Sequence, residues 1–309
     1  MPAPCYRFSD LTVSSDQPLP ELFQVVDAAA TAAPEVHVRW LPAAAPDLRP
    51  TFAAWLTPSG DEWLTFAECG DGFLLTFAEH SQFHVSGDAA RVAAHPAPGT
   101  PPETTRHLLL NQVLPLVLSR RGRLVLHASA ISWHGQVAAF LGRSGAGKST
   151  LAAACAAAGA AVVTDDCLVV RRDSDATWRA VPCDAGMRLW PQTLELLGWP
   201  RATGAGMAHY TDKRRVGAAH APVRFETDVL PLTRICCLSR PAEPIAPGAL
   251  RGQRAVMALA SELFRLDVRD AQESRWQFDA ISALAVELPV DALAREHPVA
   301  AASAVLCRM

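Results

Sequence analysis

Residues 142–149 read Gly-Arg-Ser-Gly-Ala-Gly-Lys-Ser, and this stretch is the strongest functional signal in the sequence. It matches the pattern G-x-x-x-x-G-K-[ST], in which glycines let the backbone approach an anion and the lysine reaches phosphates. Lys148 and Lys213 are the only lysines among 28 Lys and Arg residues, so a lysine is kept where a compact ammonium would meet a phosphate. The pattern predicts binding of a phosphate chain and indicates a nucleotide, whereas a glycine-rich turn without a ligand is the alternative.

The residues on either side of this loop have the strand and helix patterns that a phosphate loop requires. Leu124 to Ser132 and Val137 to Leu141 are apolar, strand-like runs, and Lys148 to Ala158 is rich in Ala. Gly159 is a natural end for that helix. The N–H groups of the loop and of the helix N-terminus would then face an anion. The predicted nucleotide-binding residues are Gly142, Arg143, Ser144, Gly145, Ala146, Gly147, Lys148, Ser149 and Thr150.

Two adjacent carboxylates follow this helix and the next strand. The apolar run Ala160 to Thr164 ends in Asp165 and Asp166, and strand ends beside a phosphate loop are where open α/β sheets place ligands. Successive side chains of a strand alternate, so the pattern predicts that one acid holds Mg²⁺ and the other acts as a base. A polar strand end that merely begins a loop is the alternative. His127 precedes the loop and is a further candidate, although a histidine in such a run is more often a core residue.

Composition narrows the class of protein. The 309 residues carry a net charge of −3, and half of them are apolar, as in a soluble globular protein. This charge gives no electrostatic reason to expect a nucleic-acid partner, and no segment has the length and hydropathy of a membrane span. The eight cysteines lack zinc-site spacing and indicate reduced, buried thiols in a cytoplasmic protein.

The region before the loop has a different character. Residues 1 to about 95 contain short alternating runs separated by turn signals, which predicts an antiparallel meander. Residues 95–102 contain four prolines and a glycine, and this composition predicts a domain boundary. We therefore expect a β-rich N-terminal domain over 1–102 and a second domain over 103–309. The N-terminal domain contains no catalytic constellation, so binding, packing or formation of a homo-oligomer are its candidate roles.

Three segments together resemble a known family. Leu126 to Ala130, the loop 142–149 and Thr164 to Asp166 look like the catalytic core of HPr kinase/phosphorylase, whose fold is shared with phosphoenolpyruvate carboxykinase. The short path of 18 positions from Lys148 to Asp166 favours this family. The resemblance implies an α/β kinase core with a mixed sheet. The glycine-rich signature that follows the aspartate pair in true HPr kinases is missing, so HPr binding and the phosphorylase reaction are not carried over.

Further segments resemble a subgroup of this family. Residues 182–197 and 212–216, with the β-rich N-terminal part, are similar to HPr-kinase-like proteins of peptide biosynthesis clusters. The best understood members phosphorylate a serine at the C-terminus of a lasso-peptide precursor. The resemblance therefore implies a kinase that uses ATP and Mg²⁺, with a precursor peptide as its partner and a serine hydroxyl as its acceptor.

The resemblance also implies roles for individual residues. Asp165 matches the acid that takes the proton from the serine, Asp166 matches the metal-side acid together with Ser149, and His127 matches a histidine near the reacting phosphoryl group. The order of the two aspartates could be swapped. One more cation is expected, and the candidates for phosphate or substrate contact are Lys213, Arg214 and Arg188. The alternatives are a solvated charge cluster for residues 212–215 and an ordinary packing role for Arg188.

Two other functions stay open at this point. One is a nucleotide-binding regulatory or scaffold protein that transfers nothing, although such a protein has no need of a base. The other is a small-molecule hydroxyl kinase, which differs only in its acceptor.

Overall fold

The computed structural model describes residues 3–25, 33–42, 50–57, 59–239, 246–293 and 297–309. The chain divides into two compact units. The first unit comprises Met1–Gly122, Met207–Thr211 and Leu266–Val268. The second unit comprises Arg123–Gly206, Asp212–Arg265 and Arg269–Met309.

The first unit contains a large mixed sheet. Its strands are β1 (Cys5–Phe8), β2 (Leu11–Ser15), β3 (Phe23–Gln24), β4 (Val36–Trp40), β5 (Thr51–Leu56), β6 (Glu62–Cys69), β7 (Gly72–Phe77), β8 (Ser81–Val85) and β9 (Arg91–Pro96). Their order is β3-β1-β2-β4-β9-β8-β7-β6-β5. Among the described residues, β5 to β9 form the predicted antiparallel meander. It fails earlier in the chain because β4 lies between β2 and β9 and pairs parallel with both.

A helical segment completes the first unit. It consists of α1 (Pro102–Leu108), a π-helical turn (Leu109–Val113) and α2 (Leu114–Arg120). Its apolar side chains are buried, and the Thr105 hydroxyl lies 3.0 Å from the Ser81 hydroxyl on β8. The units therefore divide between Gly122 and Arg123, after these helices, whereas the sequence predicts the boundary before them at 102/103. The proline-rich segment is a bend within the first unit rather than its end.

The rest of the chain alternates strands and helices. The strands are β10 (Leu124–Leu126), β11 (Ala128–Trp133), β12 (Gln136–Leu141), β13 (Ala161–Thr164), β14 (Leu168–Arg172), β15 (Trp178–Val181), β16 (Met187–Leu189), β17 (Ala205–Ala208), β18 (Thr211–Val216), β19 (Arg224–Phe225), β20 (Leu230–Cys237), β21 (Gly248–Ala249) and β22 (Val290–Ala292). The helices are α3 (Lys148–Ala157), α4 (Pro191–Leu196), α5 (Gln253–Ala260), α6 (Ala271–Glu287) and α7 (Pro298–Leu306).

Most of these strands belong to one central sheet with the order β10-β14-β15-β20-β12-β11-β13-β19. Strand β22 belongs to the same sheet but lies outside this order, and it pairs with β20 and with β21. Strands β16, β18 and β17 form a separate three-stranded sheet. The central sheet mixes parallel pairs, such as β12 with β20, and antiparallel pairs, such as β11 with β12. The mixed α/β character predicted from the sequence is confirmed.

Two cores cover the two faces of the central sheet, as the alternation along β12 illustrates. Val137, Ala139 and Leu141 belong to the core that contains side chains of α5 and α6. Ala138 and Phe140 belong to the core that contains side chains of α3 and α7. Alternate side chains of a strand point to opposite faces, so helices on both faces require a strand that is apolar throughout. None of the helices in the described part of the chain is both long and apolar enough to cross a membrane.

The run predicted as one strand before the loop is two strands. β10 pairs with β14, whereas β11 pairs with β12 and β13. His127 lies between β10 and β11, and its backbone N–H donates to the carbonyl of Glu262 at 2.7 Å instead of to a sheet neighbour. The change of partner at His127 brings this residue out of the regular ladder and to the end of the sheet where the loop begins.

Candidate active site

The glycine-rich loop joins β12 to α3, which is the predicted order of strand, loop and helix. Helix α3 begins at Lys148, directly after Gly147, whose φ of 100° is readily adopted only by glycine. Gly142 has a φ of 142°, and a Cβ there would lie 2.5 Å from the carbonyl oxygen of Leu238. The first N–H groups of any α-helix lack intrahelical acceptors, so the N-terminus of α3 is suited to an anion.

Lys148 is held against this loop. Its side chain is 5% exposed, and its Nζ donates a hydrogen bond to the Gly142 carbonyl. Burial lowers the pKa of Lys148, while the carboxylates of Asp166, Glu262 and Asp165 act in the opposite direction. The ammonium group therefore lies among these carboxylates, near the N-terminus of α3.

A cleft of about 110 Å³ opens beside the loop. The residues that line it are His127, Ser144, Gly145, Gly147, Lys148, Ser149, Thr150, Asp166, Arg188, Leu189, Trp190, Thr193 and Lys213. The structure thus brings together most of the residues singled out in the sequence. Asp165, Arg214, Gly142, Arg143 and Ala146 are not part of this lining.

The two aspartates occupy different environments. Asp165 is fully buried, and its carboxylate accepts hydrogen bonds from the Ser129 hydroxyl at 2.5 Å and from the Arg188 backbone N–H at 2.8 Å. Burial and the charge of Asp166 raise the pKa of Asp165. A raised pKa suits a base, but Asp165 is not among the residues that line the cleft, and both of its carboxylate oxygens accept hydrogen bonds within the protein. The role of base for Asp165 therefore stays a prediction, and the sequence also allows the two aspartates to exchange roles.

Asp166 is the member of the pair that faces the cleft. Its Oδ1 lies 3.5 Å from His127 Nε2, and its φ is 71°, a left-handed conformation that turns the chain directly after β13. Burial alone would raise the pKa of Asp166, but the His127 hydrogen bond and the charges of Arg188 and Lys213 hold it well below its usual value. A carboxylate that stays ionised is a weak base and a good ligand for Mg²⁺.

His127 lies between two carboxylates, and one of them has no signal in the sequence. Its Nδ1 is 3.3 Å from Glu262 Oε2, while its Nε2 faces Asp166. Burial would lower the pKa of His127, but its contacts with Asp166 and Glu262 raise it overall. Glu262 follows α5, far from the loop in sequence, and no local pattern distinguishes it from other surface-type glutamates.

Arg188 is a buried anchor for the aspartate pair. Its side chain is 2% exposed, and its guanidinium donates to Asp184 at 2.7 Å and to the Asp165 carbonyl at 2.6 Å. Its Nε lies 3.8 Å from Asp166 Oδ2. Burial opposes the charge, but Asp184, Asp166 and Asp165 raise the pKa of Arg188. These contacts use the guanidinium to fix the turn after β13, so Arg188 reaches the cleft as a supporting residue.

The two basic residues predicted on β18 diverge. Lys213 lines the cleft, and its Nζ lies 5.5 Å from the ring centre of Trp190, a side chain that is 45% exposed. Arg214 points elsewhere and donates to the carbonyls of Thr203 and Gly204 at 3.1 and 2.5 Å. Neighbouring residues of a strand face opposite sides, which explains the difference. The structure therefore places Lys213 in the cleft and Arg214 in the support of a loop.

Two oxygen donors in the cleft fit a magnesium ion. Ser149 offers a hydroxyl and Asp166 a carboxylate, both hard ligands of the kind that Mg²⁺ prefers. No cluster of three or more His, Cys, Asp or Glu side chains suited to a metal occurs in the described ranges. Mg²⁺ commonly uses one or two protein ligands together with phosphate oxygens and water, so a small donor set is what a nucleotide-bound ion requires.

Comparisons with known proteins find similarity at the level of three-dimensional structure. No protein-family model and no curated protein matches this chain. Among solved structures, the HPr(Ser) kinase/phosphatase from Coxiella burnetii superposes with a TM-score of 0.33 and 11% sequence identity, over 60% of this chain and 93% of that chain. A TM-score this low does not decide between folds, so the function is inferred from the residues of the cleft.

Proposed function

We propose that this protein is an ATP- and Mg²⁺-dependent kinase that transfers a phosphoryl group to a serine hydroxyl of a peptide. One observation carries the proposal: Lys148, Lys213, His127 and Asp166 line the same cleft as the glycine-rich loop. A site that only holds a phosphate chain needs the loop and one lysine. Two further groups that can be cationic, beside an ionised carboxylate, are what the charge redistribution of phosphoryl transfer requires.

Each cleft residue then has a task. Bound Mg²⁺–ATP would supply the transferable phosphoryl group. The N–H groups of the loop and Lys148 bind its phosphates, and Ser149 with Asp166 would hold the metal. His127 and Lys213 neutralise the charge on the transferred group. Phosphoryl transfer proceeds through a loose transition state, so orientation and charge neutralisation contribute more than a strong base, and a buried Asp165 does not prevent it.

The peptide acceptor rests on the resemblance of two segments. Residues 182–197 and 212–216 are those that resemble kinases of lasso-peptide precursors. In the fold, the first segment contains β16 and α4, and the second lies in β18. These elements contribute Trp190 and Lys213 to the cleft. A precursor peptide with a serine at its C-terminus is therefore the proposed substrate.

Mass spectrometry of candidate peptides incubated with Mg–ATP tests this proposal. A set of peptides ending in serine is compared with the same peptides ending in alanine. The expected result is a gain of one phosphoryl group, about 80 Da, only on the serine peptides. Phosphorylation of small hydroxyl compounds and of none of the peptides would overturn the peptide acceptor.

One observation favours a second function, a nucleotide-binding protein without transfer. The acid best suited by its pKa to act as a base, Asp165, does not face the cleft. This alternative predicts tight binding of ATP together with no phosphorylated product from any acceptor. Calorimetric titration with ATP, run beside the mass spectrometry, separates it from the kinase.

A further inference from the structure

Glu262 is a buried acid at the back of the site. Its side chain is 4% exposed, and its Oε2 lies 3.3 Å from Nδ1 of His127. The other ring nitrogen, Nε2, faces Asp166 at 3.5 Å. His127 and Asp166 both line the cleft, whereas Glu262 does not. Of the residues that line the cleft, His127 is the one that the Glu262 carboxylate meets as an ion-pair partner.

The backbone fixes this arrangement on both sides of the glutamate. The N–H of His127 donates to the Glu262 carbonyl at 2.7 Å, and the N–H of Phe264 donates to the Val125 carbonyl at 3.1 Å. Between these bonds, Leu263 forms a β-bridge with Leu126. Residues 262–264 thus pair with residues 125–127 as a short antiparallel segment. This backbone pairing places residue 262 beside residue 127 independently of their side chains.

Packing alone does not account for an acid at this position. Transfer of a carboxylate from water to a protein interior is unfavourable by several kcal/mol unless a charged or hydrogen-bonding partner compensates. An apolar side chain would fill the same space without that penalty. The partner that Glu262 meets is His127, and histidines that act on ligands are commonly oriented by a carboxylate at their second ring nitrogen.

We propose that Glu262 is a positioning residue, whose carboxylate accepts the Nδ1 proton of His127 and holds Nε2 toward Asp166 and the cleft. This inference rests on the proposed kinase function for its consequence, which is that His127 stays aimed at the transferred phosphoryl group. Glu262 contacts His127 and not the substrate, so its loss should change the rate of transfer rather than the binding of nucleotide or peptide.

Steady-state kinetics of three variants test this role. Glu262→Ala should lower kcat on the order of 10–100-fold, the usual effect of removing a second partner from a functional histidine, and should leave both KM values within about twofold. Glu262→Gln keeps an oxygen acceptor of the same shape, so its kcat should lie between those of the alanine variant and the wild type. In a His127→Ala background, Glu262→Ala should cause no further loss.

Glu287→Ala serves as the matched control. Glu287 accepts a hydrogen bond from Trp178 Nε1 at 2.8 Å and pairs with Arg172 at 2.8 Å, outside the cleft lining. This variant should lose stability without losing kcat. A Glu262→Ala kcat within twofold of the wild type, or an equal loss of kcat in the presence and absence of His127, would overturn the proposal.

Crystal structures of the wild type and of both Glu262 variants give a readout that does not depend on activity. The His127 ring should keep its orientation in the glutamine variant and rotate away from Asp166 in the alanine variant. A ring that stays in place in the alanine variant overturns the positioning role, even if the wild type phosphorylates no peptide. Absence of phosphorylation with a rotated ring instead overturns the kinase and supports the positioning role. If the alanine variant does not fold, the glutamine variant carries both the kinetic and the structural comparison.

Discussion

Two groups of residues line the cleft, and they are built in different ways. The loop segment consists of Ser144, Gly145 and residues 147–150, which come from one stretch of chain whose shape follows from its glycines and from the start of α3. The assembled set consists of His127, Asp166, residues 188–190, Thr193 and Lys213, which come from separate strands and turns. The loop segment could form from local sequence alone, whereas the assembled set exists only when the sheets have the right order.

This difference suggests a division of labour. Main-chain N–H groups and Lys148 are typical of sites that bind phosphates whatever the chemistry that follows. The charged side chains of the assembled set are more specific to transfer, since charge that develops in the transition state needs groups placed in advance. We therefore expect the loop segment to govern nucleotide affinity and the assembled set to govern kcat.

The largest effect should come from Lys148, because it serves both binding and transfer. Lys148→Ala should lower kcat/KM roughly 10³-fold, comparable with the loss of other cations that stabilise a transferred phosphoryl group, and should weaken ATP binding measurably. Initial-rate kinetics measure kcat/KM, and calorimetry measures the affinity for ATP. Arg224→Ala is the matched control, since Arg224 donates to the Gly159 carbonyl at 2.5 Å and does not line the cleft. Unchanged ATP affinity in Lys148→Ala would break the proposed division.

The next largest effect on kcat should come from the aspartate pair, in which two adjacent residues should respond differently to substitution. Asp166→Asn should lower kcat on the order of 10²-fold, because a neutral amide neither holds Mg²⁺ as well nor faces the phosphates with a charge. Asp165→Asn should instead lower the free energy of unfolding by about 1–3 kcal/mol, because one of two buried hydrogen bonds, from Ser129 or from Arg188, loses its acceptor. Kinetics and urea unfolding of both variants are compared. A greater loss of kcat in Asp165→Asn than in Asp166→Asn would support Asp165 as the base.

Lys213→Ala should lower kcat, measured by initial-rate kinetics, less than Asp166→Asn does. At the effective dielectric constant near a protein surface, loss of one nearby positive charge corresponds to roughly a 10-fold to 30-fold decrease in kcat. ATP affinity should change less than kcat does. Trp190→Ala removes the ring beside Lys213, and a cation–π contact worth about 0.5–1 kcal/mol predicts a loss of roughly threefold. Trp190→Phe, which retains a ring, should recover most of it; equal losses in the two variants would contradict the role of the ring.

The same contrast explains how much could be predicted from sequence. The loop, helix α3 and the strand before Asp165 are encoded locally, and the structure has them with bounds close to those predicted. The orientation of Asp165 and Asp166 was not predictable, because it depends on Arg188 and Ser129, which approach from other strands. Glu262 was not predictable either, since only the pairing of residues 262–264 with 125–127 brings it to His127. The unit boundary was misplaced because proline content reports a bend and not which core the following helix joins.

The smallest effect on transfer should come from Arg214, the neighbour of Lys213 on β18. Its guanidinium donates to two loop carbonyls, so Arg214→Ala should lower the free energy of unfolding by about 1–2 kcal/mol. Its kcat should stay within about twofold of the wild type, because the side chain lies away from the cleft. Thermal unfolding and kinetics, measured beside Lys213→Ala, separate the two roles. If one face of β18 serves the cleft and the other supports a loop, Lys213→Ala should mainly lower kcat and Arg214→Ala should mainly lower stability. An equal loss of kcat in the two variants would show that the whole charged segment, rather than one side chain, acts on the phosphates.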